Sequence, residues 1–336
     1  MARRAQQVPL VCHGHSRPIV DISYSPVTED GYFLMSASKD GKPMIRDGES
    51  GDWIGTFEGH KGAVWSANLN VPATHCVTGS ADFSARVWNA ITGDELYSFQ
   101  HKHIVRTAVF SEDSHCILTG GMEKKIRIFN LGRPDAAPLV MEGAPSGIRQ
   151  AVWFNNDSLI LCAYSDTPGV HVWDTRTLTH VRTVETALPV TNIELSRNGT
   201  WMSTCAGKEI QFWNTDKMEV VKTHTMEFEM ESSSLHPEQG KFVAGGEDMW
   251  VRLYDYQTGE ELECNKGHHG PVHCVRFAPD GESYASGSED GTIRIWSTLT
   301  AAEQEAAAEN KDEAARAMEN LRVEDSSVST AVSAAA

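Results

Sequence analysis

One segment recurs along this chain at intervals of 40 to 44 residues, and that repeat limits the possible folds more than any other feature. Its clearest copy, Gly267–Trp296, reads GHHGPVHCVRFAPDGESYASGSEDGTIRIW. A Gly-His pair precedes an apolar strand, a Pro-Asp-Gly turn reverses the chain, and a Ser-Gly-Ser-x-Asp-Gly turn leads into a strand that ends in tryptophan. A unit this short cannot bury both faces of its sheet, so its copies must stack on one another.

The aromatic residue that ends each copy sets the phase of the repeat. It occurs in six copies, as Trp88, Phe129, Trp173, Trp213, Tyr254 and Trp296. An earlier, seventh copy keeps a Lys-Asp-Gly turn and has Arg46 at the aromatic position. In every copy an apolar residue lies five positions before a bulky one: Ile19 and Tyr24, Val64 and Leu69, Val105 and Phe110, Ile148 and Trp153, Val190 and Leu195, Met230 and Leu235, Val272 and Phe277. Short apolar runs separated by turns at this period are typical of the WD repeat, which forms one blade of a propeller.

We therefore predict an all-β, seven-bladed WD-repeat β-propeller. The last copy has only three strands, whereas a short strand, VPLVC, precedes the first Gly-His. We expect this N-terminal strand to supply the missing outer strand of blade 7 and so close the ring, because closure removes exposed sheet edges. The predicted divisions are an extension (1–7), a propeller (8–299) with blades at about 13–57, 58–99, 100–141, 142–184, 185–224, 225–265 and 266–299 plus strand 8–12, and a tail (300–336).

Composition excludes several classes of function. The net charge of −17 opposes sequence-blind binding to phosphates, so we expect contact with RNA to be indirect at most. Seven scattered cysteines without a CxxC pair indicate a reducing compartment. No apolar run approaches the length of a membrane span and no secretory signal is visible, so we expect no membrane insertion. The tail is rich in Ala and Glu, which predicts an acidic helix over 301–325 and disorder over 326–336.

The repeated polar residues predict a buried hydrogen-bond network in the best-formed blades. The members are His60, Thr78, Asp82 and Trp88 in blade 2, and His268, Ser286, Asp290 and Trp296 in blade 7. An Asp can orient the His, the His can meet the hydroxyl, and the hydroxyl can accept the indole N–H. The set resembles a Ser-His-Asp triad, but a catalytic triad is a single copy, so repetition favours a structural role. Blades 4 to 6 lack the His, and we expect them to be looser or to be held by packing alone.

The residue after the first apolar position varies between blades: Val20, Trp65, Arg106, Arg149, Thr191, Glu231 and His273. We expect these side chains to lie where the inner loops converge. Together with Lys39 and Lys61, the residues Trp65, Arg106 and Arg149 form a candidate partner surface that could receive an acidic peptide. Ordinary solvated loop charges are an equally good interpretation. We expect no catalytic residues, no cofactor and no metal, because no carboxylate or Cys recurs at ligand spacing and no phosphate-binding motif is present.

Four stretches carry a resemblance to one WD-repeat family. They are Lys39–Trp65, His101–Phe110, Leu235–Asp248 and Tyr254–Trp296. They resemble the serine-threonine kinase receptor-associated proteins, also called Unr-interacting proteins, and Arg46 in place of the aromatic is part of that likeness. The stretches GHKGAVW and TGSADFSARVWNAITGDEL also resemble the WD-repeat subunit of a eukaryotic translation initiation factor complex.

The first resemblance implies a non-enzymatic scaffold for protein interactions. It implies partners among the assembly factors of the survival-of-motor-neuron complex, which loads Sm proteins onto spliceosomal small nuclear RNAs and so serves mRNA splicing. It also implies an Unr-like RNA-binding partner in translation control, a role in receptor-kinase signalling, and a location in both cytoplasm and nucleus. The second resemblance implies a subunit of an initiation complex. We expect the propeller on its own to be monomeric, and an enzyme built on a propeller remains the third interpretation.

Overall fold

A computed structural model describes residues 7–236, 238, 240–300 and 303–304 of the chain. The described residues fall into two compact units. One spans Pro9–Thr298, and the other contains the described residues at the two chain ends. The predicted tail helix lies largely outside the described residues, of which only Glu303 and Gln304 belong to that region, and both are helical. The predicted extension 1–7 and disordered segment 326–336 also lie outside them, except for Gln7.

The unit Pro9–Thr298 contains seven sheets of four antiparallel strands each, which confirms the predicted seven-bladed propeller. Blade 1 consists of β2 (Ile19–Tyr24), β3 (Phe33–Ser38), β4 (Met44–Asp47) and β5 (Trp53–Thr56). Blade 2 consists of β6 (Val64–Leu69), β7 (His75–Ser80), β8 (Ser84–Asn89) and β9 (Glu95–Gln100). Blade 3 consists of β10 (Val105–Phe110), β11 (Cys116–Gly121), β12 (Ile126–Asn130) and β13 (Leu139–Met141).

The remaining blades follow the same order from the inner to the outer strand. Blade 4 consists of β14 (Ile148–Phe154), β15 (Leu159–Tyr164), β16 (Val170–Asp174) and β17 (Thr179–Val184). Blade 5 consists of β18 (Asn192–Leu195), β19 (Trp201–Ala206), β20 (Glu209–Asn214) and β21 (Glu219–Thr225). Blade 6 consists of β22 (Met230–His236), β23 (Lys241–Gly246), β24 (Trp250–Asp255) and β25 (Glu261–Lys266).

Blade 7 is completed by the beginning of the chain, as predicted. It consists of β26 (Val272–Phe277), β27 (Ser283–Ser288), β28 (Ile293–Ser297) and, outermost, β1 (Leu10–Cys12). Strand β1 is antiparallel to β28, with Val11 opposite Arg294 and Cys12 opposite Ile293. Hydrogen bonding between the two ends therefore closes the ring.

The hydrophobic core is divided into seven clusters, and each lies between two neighbouring blades. The cluster between blades 7 and 1 contains Cys12, Ile19, Leu34 and Ile295, all of them buried. Within the part of the chain that the structure describes, every blade therefore packs against a neighbour on both sides. Burial of apolar surface contributes about 25 cal/mol per Å² to stability, so each of these interfaces stabilises the ring.

Glycine in the second strand of a blade allows the next blade to approach closely. A Cβ on Gly287 would lie 2.6 Å from Cγ2 of Ile19, at the junction of blades 7 and 1. A Cβ on Gly120 would lie 2.8 Å from Cγ2 of Ile148, at the junction of blades 3 and 4. At these two junctions, close packing between neighbouring blades therefore requires Gly.

Candidate functional site

Hydrogen bonds in blade 2 join the four side chains of the predicted network. Nδ1 of His60 lies 2.7 Å from Oδ2 of Asp82, and Nε2 of His60 lies 2.7 Å from Oγ1 of Thr78. The indole N–H of Trp88 donates to the same Thr78 oxygen at 2.9 Å. An ionised carboxylate only accepts hydrogen bonds, so His60 donates from Nδ1 to Asp82. The network ties the loop before the inner strand to the second and third strands.

Blade 7 repeats the same arrangement. Nδ1 of His268 lies 3.0 Å from Oδ2 of Asp290, and Nε2 lies 2.8 Å from Oγ of Ser286. The indole N–H of Trp296 donates to Ser286 at 2.9 Å. The His side chains of both networks are fully buried, at 0% exposure for His60 and 0% for His268, so no substrate can reach them. The geometry therefore favours structural networks over catalytic triads.

Charge in these networks is stabilised locally. Burial opposes ionisation of Asp82, but hydrogen bonds from His60, from Ser84 and from the backbone N–H of Lys61 outweigh it and hold the pKa of Asp82 well below its usual range. Burial lowers the pKa of His268, which keeps that imidazole neutral at neutral pH. In blade 7, the neutral His268 therefore donates from Nδ1 to the ionised Asp290 and accepts the Ser286 hydroxyl at Nε2.

Blades 1 and 3 carry variants of the network. In blade 1, His15 lies 2.8 Å from Asp40 and 2.8 Å from Ser36. The buried Arg46 replaces the aromatic there and donates to the backbone oxygen of Gly51 at 3.2 Å.

In blade 3, Nε2 of His101 lies 2.9 Å from Oγ1 of Thr119, and Nδ1 of His101 donates to the backbone oxygen of Phe99 at 3.1 Å. Burial lowers the pKa of His101 to about 4.

Of the two alternatives for blades 4 to 6, looser structure or packing alone, the second is wrong for blades 4 and 5. In blade 4 the indole N–H of Trp173 donates to the hydroxyl of Tyr164 at 2.9 Å. In blade 5 the indole N–H of Trp213 donates to Oγ1 of Thr204 at 2.9 Å. A buried indole N–H needs an acceptor, so a hydroxyl on the second strand is kept even where the His is lost.

The inner strands surround a central cavity of about 1160 Å³. In six blades the pairing between the first and second strand skips one residue at a β-bulge, and in five of these blades both the skipped residue and the next one line the cavity. The skipped residues are Val20, Trp65, Arg106, Arg149, Glu231 and His273. With Thr191 of blade 5 they line the cavity where the inner strands begin, and we call this end the upper mouth.

Polar side chains at the next position bind the neighbouring inner strand. Oγ1 of Thr107 donates to the backbone oxygen of Ala151 at 3.1 Å and accepts the Ala151 N–H at 3.3 Å. Gln150 makes the same pair of bonds with Ile193, at 2.8 and 2.7 Å. Since the inner strands of adjacent blades do not pair with one another, these side chains satisfy backbone groups that face the cavity.

Arg106 and Trp65 form one contact at the upper mouth. The guanidinium carbon of Arg106 lies 3.9 Å from the centre of the Trp65 ring, well within the range of a cation–π interaction. Burial, with repulsion from Arg149, lowers the pKa of Arg106 to about 10, so the group remains protonated at neutral pH. Two residues of the predicted partner surface are thus joined directly.

The other predicted cations at the upper mouth have acidic neighbours. Nη2 of Arg149 lies 2.7 Å from Oε2 of Glu231, and Nε of Arg149 donates to the backbone oxygen of Thr191 at 3.0 Å. Arg149 of blade 4 therefore reaches across blade 5 to blade 6.

Nζ of Lys39 lies 3.3 Å from Oε2 of Glu289, which also lies 2.7 Å from Nε2 of His273. Lys61 is exposed and does not line the cavity. The structure thus divides the cations of the candidate partner surface into two neutralised groups, Arg149 and Lys39, and two others, Lys61 outside the cavity and Arg106 inside it.

Charged residues lower in the cavity were missed by the sequence pattern. Nη1 of Arg276 in blade 7 donates to Oγ of Ser232 at 3.0 Å. Burial raises the pKa of Asp21 to about 6, although Arg276 acts in the opposite direction. Nη2 of Arg197 donates to the backbone oxygen of Ser25 at 2.8 Å, which joins blade 5 to blade 1 across the opposite mouth. The sequence positions of Arg276, Asp21 and Arg197 relative to the repeated residues place them on inner strands or the turns after them, but no motif marks them.

Within the described residues, no cluster of three or more His, Cys, Asp or Glu side chains is arranged to hold a metal ion. In the same part of the chain, no helix has both the length and the apolar composition that crossing a membrane requires.

Comparison with known proteins agrees with the fold. Residues 51–89, 93–130 and 259–297 match the family described as "WD domain, G-beta repeat". The serine-threonine kinase receptor-associated protein of Gallus gallus is 52% identical over 293 residues, which cover 87% of this chain and 83% of the relative. The protein of the same name in Dictyostelium discoideum is 47% identical over 288 residues, covering 86% and 98%.

The second resemblance proves more distant. Eukaryotic translation initiation factor 3 subunit I of Bombyx mori is 29% identical over 314 residues, covering 85% of this chain and 94% of the relative. The fold and the names of the relatives point to a non-catalytic scaffold. The resemblance carried by the four stretches is confirmed, and the chain belongs to the serine-threonine kinase receptor-associated protein family of WD-repeat proteins.

Proposed function

We propose that this chain is a non-enzymatic scaffold of the survival-of-motor-neuron assembly, where it helps to load Sm proteins onto spliceosomal small nuclear RNAs. Family membership at 52% and 47% identity is the observation that carries the proposal. Its partners are then the assembly factors of that complex and an Unr-like RNA-binding protein. It works in both cytoplasm and nucleus, and the propeller on its own is monomeric.

The architecture suits a docking platform. Seven clusters of buried residues lie between the blades, so the ring presents its loops and mouths in fixed relative positions. Fixed positions lower the ordering cost of binding a partner. The His-Asp-hydroxyl sets, which are the residues most similar to a reaction centre, are buried and committed to structure. The ring then acts by presenting a rigid surface on which partner proteins dock.

Electrostatics favour protein over RNA as the direct partner. The chain carries a net charge of −17, and strong binding to a nucleic-acid backbone needs clustered cations. At the upper mouth, the carboxylates of Glu231 and Glu289 compensate two of the cations. Contact with RNA is then made through the partner proteins. The relatives' name points to a further role beside receptor kinases, which depends on whether the source organism has such receptors.

Affinity purification of the tagged full-length chain from its own cells tests this proposal. Sm proteins and assembly factors are expected in the eluate, and they should remain after RNase treatment because the contacts are between proteins. Depletion of the chain from an extract should slow the loading of Sm proteins onto radiolabelled small nuclear RNA, and the purified chain should restore it. Unchanged loading after depletion would contradict the proposal.

The initiation complex remains the alternative function, supported by the 29% identity to its subunit I. Recovery of initiation subunits in place of Sm proteins, in the same purification, would favour it. Hydrolase or kinase activity in the purified chain would instead favour the enzyme class.

A further inference from the structure

Among the described residues that line the upper mouth, Arg106 is the cation with no carboxylate at ion-pair distance, although Glu231 acts on its charge from further away. Arg149 is paired with Glu231, and Lys39 is paired with Glu289. Among the described residues, no carboxylate lies within ion-pair distance of Arg106, and its recorded side-chain contact is the ring of Trp65. The ring supports one face of the guanidinium and leaves the N–H groups along its edge available, because cation–π stacking uses the face of the plane.

The location of Arg106 makes an unpaired charge significant. Its side chain is partly buried and lines a cavity of about 1160 Å³, which exceeds the usual range of about 300–1,000 Å³ for small-molecule pockets. The cavity is therefore large enough for several residues of an extended peptide. A partly desolvated guanidinium binds a carboxylate more strongly than an exposed one does, and its fork of donors matches the two carboxylate oxygens.

The charges around Arg106 define the ligand. Arg149 and Lys39 are already neutralised by Glu231 and Glu289, so the upper mouth has too few free cations to hold a ligand with many negative charges, such as a nucleic acid. One unpaired cation matches one carboxylate, whereas a phosphate of charge near −2 would need a second free cation. An aspartate or glutamate side chain fits this balance.

We propose that Arg106, positioned by Trp65, binds the carboxylate of an Asp or Glu side chain in an extended segment of a protein partner that enters the upper mouth. The inference rests on the proposed scaffold function and deepens it by naming the chemistry of the docked segment. Trp65 acts as a positioning residue, since it holds the guanidinium in place without contacting the ligand's carboxylate.

A peptide titration tests the inference with the full-length chain. The probes are three terminally blocked peptides that share a Gly-Ser backbone and differ at one central position, which is Glu, Gln or phosphoserine. Indole N–H signals are followed by two-dimensional NMR of the nitrogen-15-labelled chain, and the Trp65 signal is assigned from its loss in Trp65→Phe. The Glu peptide is expected to shift the Trp65 signal in the unmodified chain and to bind at least tenfold more tightly than the Gln peptide.

Four variants separate a specific site from general electrostatics. Arg106→Gln is expected to weaken binding of the Glu peptide at least tenfold, and Trp65→Leu about three- to tenfold because the guanidinium loses its support. Trp65→Phe keeps an aromatic face and should stay within about threefold of the unmodified chain. Lys61→Gln, which removes the same charge outside the cavity, should change binding less than twofold. Melting temperatures of all variants check that the propeller remains folded.

Several results would overturn the inference. They are equal binding of the Glu and Gln peptides, tighter binding of the phosphoserine peptide, or equal losses in Arg106→Gln and Lys61→Gln. Binding of single-stranded oligouridine that depends on Arg106 would overturn it as well. If Arg106→Gln still recovers the full set of assembly factors from cells, the carboxylate site is wrong while the scaffold function stands. If the unmodified chain recovers none of them, the scaffold function itself fails.

Discussion

Replacement of Thr78 by Val tests the buried network most sharply, because valine keeps the shape of threonine and removes its hydroxyl. Thr78 is fully buried and serves two partners, His60 at 2.7 Å and Trp88 at 2.9 Å. Thr204 of blade 5 provides a matched control. It is also buried but serves Trp213 as its recorded partner, at 2.9 Å.

The expected magnitudes follow from the number of polar groups left without a partner. Each buried group that loses its hydrogen bond costs about 1–3 kcal/mol. Thr78→Val strands both the imidazole nitrogen and the indole N–H, so the free energy of unfolding should fall by about 3 kcal/mol. Thr204→Val strands the indole N–H alone and should cost about 1.5 kcal/mol.

Thermal unfolding followed by circular dichroism measures the difference. A loss of 1 kcal/mol lowers Tm by about 2–4 °C in a domain of 150–250 residues, and we expect drops of about 6 °C for Thr78→Val and about 3 °C for Thr204→Val. Equal drops, or a Thr78→Val protein that melts within about 1 °C of the unmodified chain, would show that the His adds nothing to the network.

Three further predictions concern charged groups. Arg149→Glu should lower Tm by a few degrees because it sets two carboxylates beside each other at a partly exposed site, and the exchange Arg149→Glu with Glu231→Arg should restore most of the loss. The pKa of Asp21 is raised to about 6 in the folded state, so the free energy of unfolding falls as pH rises from 4 to 6 and this carboxyl ionises. Asp21→Asn should therefore raise Tm at pH 7.5 but have little effect at pH 4. The fold lowers the pKa of His101 to about 4, from about 6.5 in the unfolded chain. The stability linked to this shift is present above pH 6.5 and is lost as pH falls to 4. The Tm of His101→Gln should therefore fall less between pH 7 and pH 4.5 than the Tm of the unmodified chain.

The strands that face the cavity could be predicted from sequence with little error. The apolar pair Ile19 and Tyr24 marks both ends of β2, and Val272 and Phe277 mark both ends of β26. The apolar pairs and the turn residues are local, so they can be recognised in one blade at a time. The pair that begins at Val190 departs most, since β18 begins two residues later at Asn192, and β14 and β22 each end one residue beyond the predicted position.

The contacts of the upper mouth could not be predicted in the same way. Arg149 and Glu231 are 82 residues apart and belong to blades 4 and 6, so only the curvature of the ring brings them together. Glu289 occupies the variable position of the Ser-x-Asp turn, where any residue is compatible with the repeat. The acceptor role of Tyr164 was missed for a related reason: Cys162 occupies the position of Thr78 in blade 4, and the hydroxyl comes from Tyr164, two residues further along the strand.

Amide hydrogen exchange at β1 tests ring closure, on which the scaffold function depends. In the intact chain, exchange is measured by mass spectrometry on peptides that cover Leu10–Cys12 and Ile293–Ser297. If β1 is the fourth strand of blade 7, amides of Leu10–Cys12 that bond to β28 will exchange as slowly as the amides of β28 itself. Complete exchange of β1 within seconds, while β28 stays protected, would mean that the ring is open.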